Sequence, residues 1–501
     1  MTKSASEYHR QTSYDRHDMK GHRLDWSNQP NVFKRYAGSK TVPLPEVTAW
    51  PQESLSVLVG ERCRAEPPPN VTFEKLAQII RLSHSLTAKA RMSGTEFYYR
   101  SVASAGALYP FELYVAALGI AGLDDGLYHQ SIGLEALTVL RSGNMMPNVS
   151  DALGTGKDGS PVLVFFLTSI FFRSSWKYRD RAYRYHLLDT GHLAENLLLA
   201  LRAQDLCPTL HYDFDDETVN RLLGVDPRRE VCLAMVCLWG KKASRQEAPG
   251  NLDAPAKTLM DASQVSAREV DYGPIRDVHT ASSAVVAPTQ GTPKMLQNLG
   301  LKTGSGQDIS RPDPWPEVMN YAEAVFKRRS RRNFVQTELA ATRLAALLAL
   351  LCGTGHEPEE ALLFEKGALG VGLLSGNVQD LNPGFYLLDL EQGQMALSST
   401  GIMIDTMAHI CLDQQWLANG ALHFVFLTNL TLLEQTWGPR GYRYAMLTAG
   451  RLGQRIYLGA TAMGMGCCGI GAFYDDEAAQ LLGLNEPTRL LYLVAVGPLK
   501  R

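Results

Sequence analysis

The sequence predicts two copies of one layered domain of the α/β or α+β class. The first observation is an internal repeat: FDDETVNRLLGVD (214–226) resembles FYDDEAAQLLGLN (473–485) at a constant shift of 259 residues. The second is that each copy mixes long helical patterns with short runs of β-branched and aromatic residues. The third is a stretch between the copies that is rich in Ala, Ser, Pro, Gly and Thr and has little periodicity.

The domain boundaries follow from the repeat and from this stretch. We expect a first domain with an N-terminal extension over residues 1–240, a linker over 241–316 and a second domain over 317–501. Within the domains, the strand pattern VLVFFLT (162–168) corresponds to HFVFLT (423–428), so the repeat extends beyond the two matching helical segments.

Each copy then contains a long helical pattern with small residues on one face. In the first copy this face carries Leu187, Gly191, Ala194, Leu198 and Leu201, and in the second it carries Met446, Gly450, Gly453, Tyr457 and Ala460. Small side chains let another helix approach closely. We expect these two helices to pack across a pseudo-twofold axis, so that the chain forms an intramolecular pseudo-dimer.

Composition excludes several classes of partner. The 49 basic and 51 acidic residues nearly cancel, which argues against nucleic acid or an anionic membrane as the partner. The start has no apolar core of signal-peptide length, and no run approaches the roughly 20 apolar residues of a membrane span, so we expect a cytoplasmic protein. The eight cysteines lack metal-binding spacing, which indicates reduced thiols and no metal site.

Three small residues precede a strand-like run in SVASAGALYPFELYV (101–115). Ser104, Ala105 and Gly106 stand directly before Tyr109 and Pro110. Small side chains let backbone N–H groups approach a bound group closely, and glycine also adopts backbone angles that other residues avoid. A turn that only leads into a strand would use the same residue types, so other motifs must decide between the two interpretations.

Alternating basic and hydroxyl side chains occur in FKRRSRRNF (326–334), just before the helical pattern LAALLALL. Arg328, Ser330 and Arg332 could direct two guanidinium groups and one hydroxyl at a phosphate. A solvated basic turn would have the same composition.

A glycine-rich segment, AMGMGCCGIGAF (462–473), lies near the end of the second copy. Backbone N–H groups at Gly464, Gly466 and Gly469 could face a flat ring, although a glycine turn after a helix would show the same pattern. Cys467 and Cys468 lie inside this segment, and their setting favours packing over nucleophilic chemistry.

Together these three motifs resemble the nitroreductase superfamily of FMN enzymes. Further segments resemble its SagB-type dehydrogenase branch, also called thiazoline/oxazoline oxidases, over nearly the whole chain: EYHRQTSYDR, LDWSNQP, FKRY, PLP, SAGALYPFELYV, GLYH and WKYRDRAYRYHLLDTGHLAENL. The resemblance implies two α/β/α sandwich domains in tandem, each with a mainly antiparallel sheet and therefore of the α+β class. It also implies FMN bound where two such units meet.

The resemblance implies one complete flavin site built from both copies. The second copy supplies the phosphate-binding Arg328, Ser330 and Arg332 and the flavin-binding segment Gly464, Gly466, Cys467, Cys468 and Gly469. The first copy supplies Ser104, Ala105 and Gly106. Its counterpart of the basic motif, ERCRAEPP (61–68), lacks the serine and the last arginine, and its late segment LCPTLHYDF lacks the glycines. In the second copy, SGNVQDLNP passes to GFYLL with no clear equivalent of SAGALYPFELYV.

The same resemblance places a catalytic pair at Lys177 and Tyr178. The shift of 259 residues gives Thr436 and Trp437 in the second copy, so only the first copy keeps the pair. A lysine beside a flavin and an apolar wall could accept a proton, with tyrosine orienting or relaying it.

Three functions remain open at this point. The leading one is an FMN-dependent dehydrogenase that oxidises azoline rings in cyclised peptides, with a small molecule or modified peptide as substrate and a peptide-modifying complex as partner. The second is an NAD(P)H-dependent nitro or quinone reductase, and the third is a non-catalytic scaffold without flavin. The genes beside this one would separate the first from the others. We expect no nucleic acid or membrane partner, and the sequence leaves further oligomerisation open.

Overall fold

Two compact units make up the chain. The structure, a computed structural model, describes residues 4–19, 21–60, 70–92, 95–154, 160–240, 257–286, 293–352 and 367–500. Unit 1 contains Arg23–Pro51 and the chain from Arg62 to Val285, whereas unit 2 contains Thr2–His22, Gln52–Glu61 and Val286–Arg501. The domain boundaries expected at residues 240 and 316 stay a prediction.

A seven-stranded antiparallel sheet forms the centre of unit 1. The strands of unit 1 are β1 (Thr41–Pro43), β2 (Leu86–Met92), β3 (Thr95–Arg100), β4 (Phe111–Ala117), β5 (Gly126–Ser131), β6 (Ala136–Ser142), β7 (Pro161–Ile170), β8 (Thr209–His211) and β9 (Glu230–Trp239). The sheet order is β1-β6-β5-β4-β7-β9-β8, and β2 and β3 form a separate hairpin. The central strands are buried on both faces, as their continuous apolar composition requires.

Unit 2 repeats this topology. Its strands are β10 (Gln307–Asp308), β11 (Gly370–Ser375), β12 (Gly384–Asp389), β13 (Gln394–Thr400), β14 (Leu422–Asn429), β15 (Gly466–Ile470) and β16 (Thr488–Gly497). They form an antiparallel sheet in the corresponding order, β10-β13-β12-β11-β14-β16-β15. The tandem α+β repeat predicted from the sequence is therefore confirmed.

Helices flank both sheets, and several begin at residues that cap them. The α-helices are α1 (Ala5–Gln11), α2 (Leu55–Gly60), α3 (Phe73–Ser83), α4 (Met146–Leu153), α5 (Phe171–Tyr178), α6 (Ala182–Arg202), α7 (Asp216–Leu223), α8 (Lys257–Asp261), α9 (Gly273–Ala281), α10 (Tyr321–Lys327), α11 (Ala341–Cys352), α12 (Ile404–Ile410), α13 (Leu430–Trp437), α14 (Gly441–Ala462) and α15 (Asp475–Leu481). Thr72, Asp215 and Asn429 each accept a backbone N–H in the first turn of the helix that follows.

The two longest helices occupy equivalent places in the repeat, since α6 and α14 each follow the short helix after a central strand. In α6 every residue from Ala182 to Leu201 is buried, including the carboxylates of Asp189 and Glu195. Burial on all sides is typical of a helix in the interior of a large fold. Among the described residues, no helix is long and apolar enough to cross a membrane.

Three details differ from the expectations. The glycine-rich segment is not a loop after the helix, because Gly466–Ile470 forms β15 and pairs with β16. The second copy does have a strand at the position of Phe111–Ala117, namely β11, which lies between β12 and β14 as β4 lies between β5 and β7. Six described cysteines are free, as expected, whereas Cys207 is disulfide-bonded. Spacing along a sequence does not reveal such a pairing.

Candidate functional site

Ser104, Ala105 and Gly106 lie in a tight turn that leads into β4. Gly106, Ala107 and Tyr109 all have positive φ angles, of 63°, 53° and 46°. The left-handed region costs an ordinary residue roughly 1–2 kcal/mol, so the surrounding contacts must hold this turn in place. The turn that the sequence predicted is thus present. It is more strained than expected, because two residues other than glycine, Ala107 and Tyr109, also have positive φ angles.

A buried carboxylate fixes the turn. Ser104 Oγ donates to Asp189 Oδ2 at 2.6 Å, and the Ala105 N–H donates to the same carboxylate at 3.1 and 3.2 Å. The Tyr109 N–H donates in turn to Ser104 Oγ at 2.9 Å. The serine hydroxyl therefore acts as donor and acceptor at once, which explains why this position needs a hydroxyl and not merely a small side chain.

Burial raises the pKa of this carboxyl group. Asp189 is only 3% exposed, and burial raises the pKa of its carboxyl to about 7, although the hydrogen bonds from Ser104 and Ala105 favour the ionised form. A group that changes charge near neutral pH consequently lies directly behind the turn.

Lys177 and Tyr178 lie over the same turn. A Cβ atom added at Gly106 would come within 2.7 Å of Tyr178 Oη and 3.2 Å of Lys177 Nζ. Lys177 Nζ is 5.3 Å from the centre of the Tyr178 ring, and that ring packs on Tyr185 of α6 at 4.4 Å between centroids. Both side chains are half-buried. The structure therefore brings together five of the residues that the sequence selected in the first copy.

Arg173 ties the helix carrying this pair to the turn. It lies on α5, is buried, and donates from Nη1 to the Tyr109 carbonyl at 3.1 Å and from Nε to the Asn31 carbonyl at 3.0 Å. The same Nη1 is 2.6 Å from Glu112 Oε1 on β4. Burial opposes ionisation of Glu112, but the nearby Arg173 and His129 hold the pKa of its carboxyl below the usual value.

In unit 2, two of the predicted phosphate-binding residues, Arg328 and Ser330, lie beside Tyr457 of α14. Ser330 Oγ is 3.0 Å from Tyr457 Oη, and the Arg328 guanidinium lies 5.6 Å from the centre of the Tyr457 ring. The Gly469 N–H donates to Tyr457 Oη at 2.6 Å. Arg332 lies 5.7 Å from the Trp416 ring. Arg328 is buried, whereas Ser330 and Arg332 are exposed.

The two cysteines of β15 lie beside this group. Burial raises the pKa of both thiols, while Arg332 and Tyr457 act against the shift at Cys468. The Arg331 N–H donates to the Cys467 carbonyl at 2.9 Å, which joins the basic segment to the start of β15. Thiols with raised pKa values are poor nucleophiles at neutral pH, which agrees with the packing role expected for them.

Two glycines of the predicted set lie elsewhere. A Cβ atom at Gly466 would be 2.3 Å from Leu499 Cδ2, so this glycine permits close packing of the C-terminal segment. Gly464 has a φ angle of 71° and lines a cavity with Arg329 and Arg331. The structure thus places Cys467, Cys468 and Gly469 beside Tyr457, Arg328 or Arg332, whereas Gly464 lies with Arg329 and Arg331 and Gly466 packs against Leu499. The counterpart segment ERCRAEPP (61–68) lies outside the described residues.

The equivalents of Lys177 and Tyr178 in unit 2 are chemically different. Thr436 Oγ1 donates to the Leu432 carbonyl within its own helix at 2.8 Å, and the buried Trp437 ring packs edge-on against Tyr444. Neither residue offers a titratable amine. In the part of the chain that the structure describes, no three His, Cys, Asp or Glu side chains are grouped to hold a metal ion.

Sequence reasoning missed Asp189 and treated Tyr457 only as a packing residue. Asp189 directly follows Leu188 in a helical pattern. Nothing in that pattern shows which buried side chain contacts the turn at 104–106. Tyr457 is the one aromatic residue on the face formed by Met446, Gly450, Gly453, Tyr457 and Ala460, and this is the signal that could have indicated a special role.

Both copies of the repeat are similar to proteins of one known family. The profile described as "Nitroreductase family" matches residues 63–241 and 389–498, which together exceed half of the chain. A crystal structure from Anabaena variabilis, provisionally assigned as a nitroreductase, is 25% identical with a TM-score of 0.78 and covers 99% of this chain and 100% of its own.

Two curated relatives match shorter segments. MJ1384 of Methanocaldococcus jannaschii, provisionally named a nitroreductase, is 27% identical over 191 residues, which are 38% of this chain and 96% of that protein. The trifolitoxin-processing protein TfxB of Rhizobium leguminosarum bv. trifolii is 27% identical over 210 residues, which are 40% of this chain and 56% of TfxB. The chain therefore spans little more than half the length of TfxB. On the family match over both copies, this chain belongs to the nitroreductase family.

Proposed function

We propose that the protein is an FMN-dependent oxidoreductase of the SagB type, which oxidises azoline rings in a modified peptide to azoles. The observation that carries this proposal is the placement of Lys177 and Tyr178 directly over the turn at Gly106. Membership of the nitroreductase family supports a flavin-dependent oxidoreductase. The likeness to TfxB, a protein named for trifolitoxin processing, supports a peptide as the substrate.

The residues present fit FMN on two counts. Arg328 and Arg332 supply guanidinium groups and Ser330 a hydroxyl, which together match the donors that a phosphate needs. At the turn, Gly106 is exposed and has no side chain, so a flat ring could approach the backbone there once the ends of Lys177 and Tyr178, which an added Cβ atom would meet at 3.2 and 2.7 Å, move aside. We therefore propose that the first group holds the phosphate and that Ser104–Gly106 lie against the ring system.

The protein groups would then manage the proton. Oxidation of an azoline to an azole removes two electrons and two protons from the ring, and bound FMN would supply the two-electron acceptor. Lys177 Nζ would take the proton that leaves the ring carbon, with Tyr178 Oη beside it to orient or relay the proton. Asp189 and Arg173 would act by holding the turn and α5 in register, without touching the substrate.

The experiment uses the purified full chain and a peptide that carries one thiazoline. We expect a yellow protein that removes two hydrogen atoms from the peptide, as measured by mass spectrometry. Lys177→Ala should retain flavin and slow this reaction by about a hundredfold to ten-thousandfold, the usual cost of losing a general base. Thr436→Ala is the matched control, because it alters the equivalent position in unit 2.

Other outcomes would favour the competing functions. Rapid NAD(P)H consumption with a quinone, without turnover of the thiazoline peptide, would identify a nitro or quinone reductase. A colourless protein that binds no added FMN would identify a non-catalytic scaffold. Equal rates for Lys177→Ala and the unmodified protein would refute the assignment of the base.

A further inference from the structure

Arg179, which directly follows Lys177 and Tyr178 in the chain, has an unusual backbone conformation. It lies at the C-terminal end of α5 with a φ angle of 48° and a ψ angle of −134°, and its N–H donates to the Ser175 carbonyl. These angles lie near the mirror image of the extended region, which glycine adopts readily and a residue with a Cβ atom rarely does. An arginine is strained there, so the surrounding structure must hold it in place.

The internal repeat shows which residue suits this backbone. Gly438, at the shift of 259 residues, lies at the C-terminal end of α13 with a φ angle of 60° and a ψ angle of −161°, and its N–H donates to the Glu434 carbonyl. The two copies therefore end this helix with nearly the same backbone, which the glycine of unit 2 adopts without strain. The arginine stands in unit 1, the copy that has the Lys-Tyr pair.

The Arg179 guanidinium group is accessible to a ligand. Its side chain is exposed, and none of the residues that the structure describes makes a hydrogen bond or an ion pair with it. Burial raises the pKa of the Asp180 carboxyl and of the Tyr272 hydroxyl, and the charge of Arg179 lowers both. Both groups therefore lie near the guanidinium without pairing with it. Within the described part of the chain, no contact of this side chain offsets the strain of its backbone.

We propose that Arg179 binds a carboxylate of the substrate beside the ring that is oxidised, and so selects peptides with an acidic group at that place. This inference rests on the proposed function, which takes a modified peptide as the substrate. A guanidinium group can donate two parallel hydrogen bonds to the two oxygens of a carboxylate. The position follows from the chain, because Arg179 is the next residue after the pair that lies over the turn at Gly106. The carboxylate belongs either to an acidic side chain or to the C-terminus of the peptide.

The test measures the binding of three peptides to the FMN-loaded full chain by fluorescence anisotropy. Each peptide carries one thiazole, the oxidised form of the ring, so that binding is measured without turnover. The first has glutamate on both sides of the ring and an amidated C-terminus. The second has glutamine at those two places and a free C-terminal carboxylate, and the third has glutamine and an amidated C-terminus. We expect the third, neutral peptide to bind about tenfold or more weakly than one of the other two, and the tighter of those two identifies the source of the carboxylate.

Substitutions at Arg179 connect this preference to the strained residue. Arg179→Gln should abolish the preference, and Arg179→Lys, which keeps the charge, should retain part of it. Arg179→Gly should abolish it and also raise the melting temperature by about 2–4 °C, because glycine relieves the strain. Arg221→Gln is the control and should leave the preference unchanged. Arg221 is an exposed arginine on α7 of unit 1, and the core cluster that contains the buried residues of α7 includes no residue of α5 or of the turn.

Three results would overturn the proposal. One is equal binding of all three peptides, and the second is a preference for the carboxylate that persists in Arg179→Gln. The third is a melting temperature that falls or stays constant in Arg179→Gly, because the arginine would then not be strained. Failure of the proposed function would be a different result. A thiazoline peptide would then stay unoxidised, whereas the binding preference is measured with the oxidised ring and does not depend on turnover.

Discussion

Arg328 differs from the other predicted phosphate ligands in its burial, because it is 3% exposed while Ser330 and Arg332 are exposed. A buried guanidinium in contact with an aromatic ring has already lost most of its water, so it can bind a phosphate without much further desolvation. We therefore expect Arg328 to contribute more to flavin retention than Arg332 does.

Replacement of Arg328 tests this expectation. Arg328→Ala should raise the dissociation constant for FMN by about ten- to hundredfold, since a hydrogen bond to a charged group contributes about 1.5–3 kcal/mol. Equilibrium dialysis with FMN gives this constant, and Arg343→Ala serves as a control that removes the same charge elsewhere in unit 2. Unchanged flavin content in both Arg328→Ala and Arg332→Ala would show that the phosphate binds elsewhere.

The raised pKa of Asp189 predicts how the free energy of unfolding depends on pH. Its ordinary carboxyl pKa of 3.8 is raised to about 7 in the folded state by burial. Between these values the folded chain keeps a proton that the unfolded chain has lost. The free energy of unfolding therefore falls as pH rises from about 4 to about 7, by a total of about 4 kcal/mol from this group, and then levels off.

Asp189→Asn should remove that slope, because the amide does not titrate. Urea unfolding of both proteins between pH 5 and pH 8 should show the variant gaining stability relative to the unmodified chain as pH rises. The exposed Asp205→Asn is the control and should leave the slope unchanged. Parallel pH profiles for the unmodified protein and Asp189→Asn would contradict the raised pKa.

At the scale of an element, the turn before β4 allows the effect of backbone strain to be distinguished from the effect of the side chains that lie over the turn. Gly106 and Gly119 both have positive φ angles, of 63° and 67°, but only Gly106 has side chains within reach of an added Cβ. Each glycine-to-alanine change should destabilise unit 1 by roughly 1–2 kcal/mol, measured as free energy of unfolding. Only Gly106→Ala should also displace Lys177 and Tyr178 and slow the thiazoline oxidation.

A similar loss of activity in Gly106→Ala and Gly119→Ala would mean that strain alone matters. The expected rate loss for Gly106→Ala lies below that of Lys177→Ala, because the ends of both side chains can shift. Flavin content, read from visible absorbance, shows whether the added methyl group interferes with the ring instead.

Elements that depend on apolar periodicity were predictable from the sequence. The strand at 162–168 and its repeat at 423–428 lie within β7 and β14, and both long helices were found. The segment Gly466–Ile470 was not recognised as a strand, because glycine is a poor strand former and only pairing with β16 stabilises it. Asp189 escaped notice because its role depends on a turn that lies 84 residues away in the chain.

At the scale of the whole molecule, two units share one topology but differ in chemistry. The equivalent strands and helices keep their order in the sheets, while the residues at the ends of α5 and α13 have diverged from Lys177 and Tyr178 to Thr436 and Trp437. A buried core tolerates hydrophobic exchange, so two copies can share a topology while their individual residues differ. The repeat therefore stays recognisable although the residues at these two equivalent positions differ in chemistry.

The final prediction concerns flavin stoichiometry. The Arg-x-Ser-x-Arg motif occurs once in the sequence, at 328–332, and the half-buried Lys-Tyr pair over a small-residue turn occurs, among the described residues, in unit 1 alone. Because each set is present once, we expect about one FMN per chain. Denaturation of the purified protein and absorbance of the released flavin, with native mass spectrometry, measure this ratio. Two flavins per chain would show that a second site survives without these motifs, whereas flavin found only in dimers would show that one chain does not suffice.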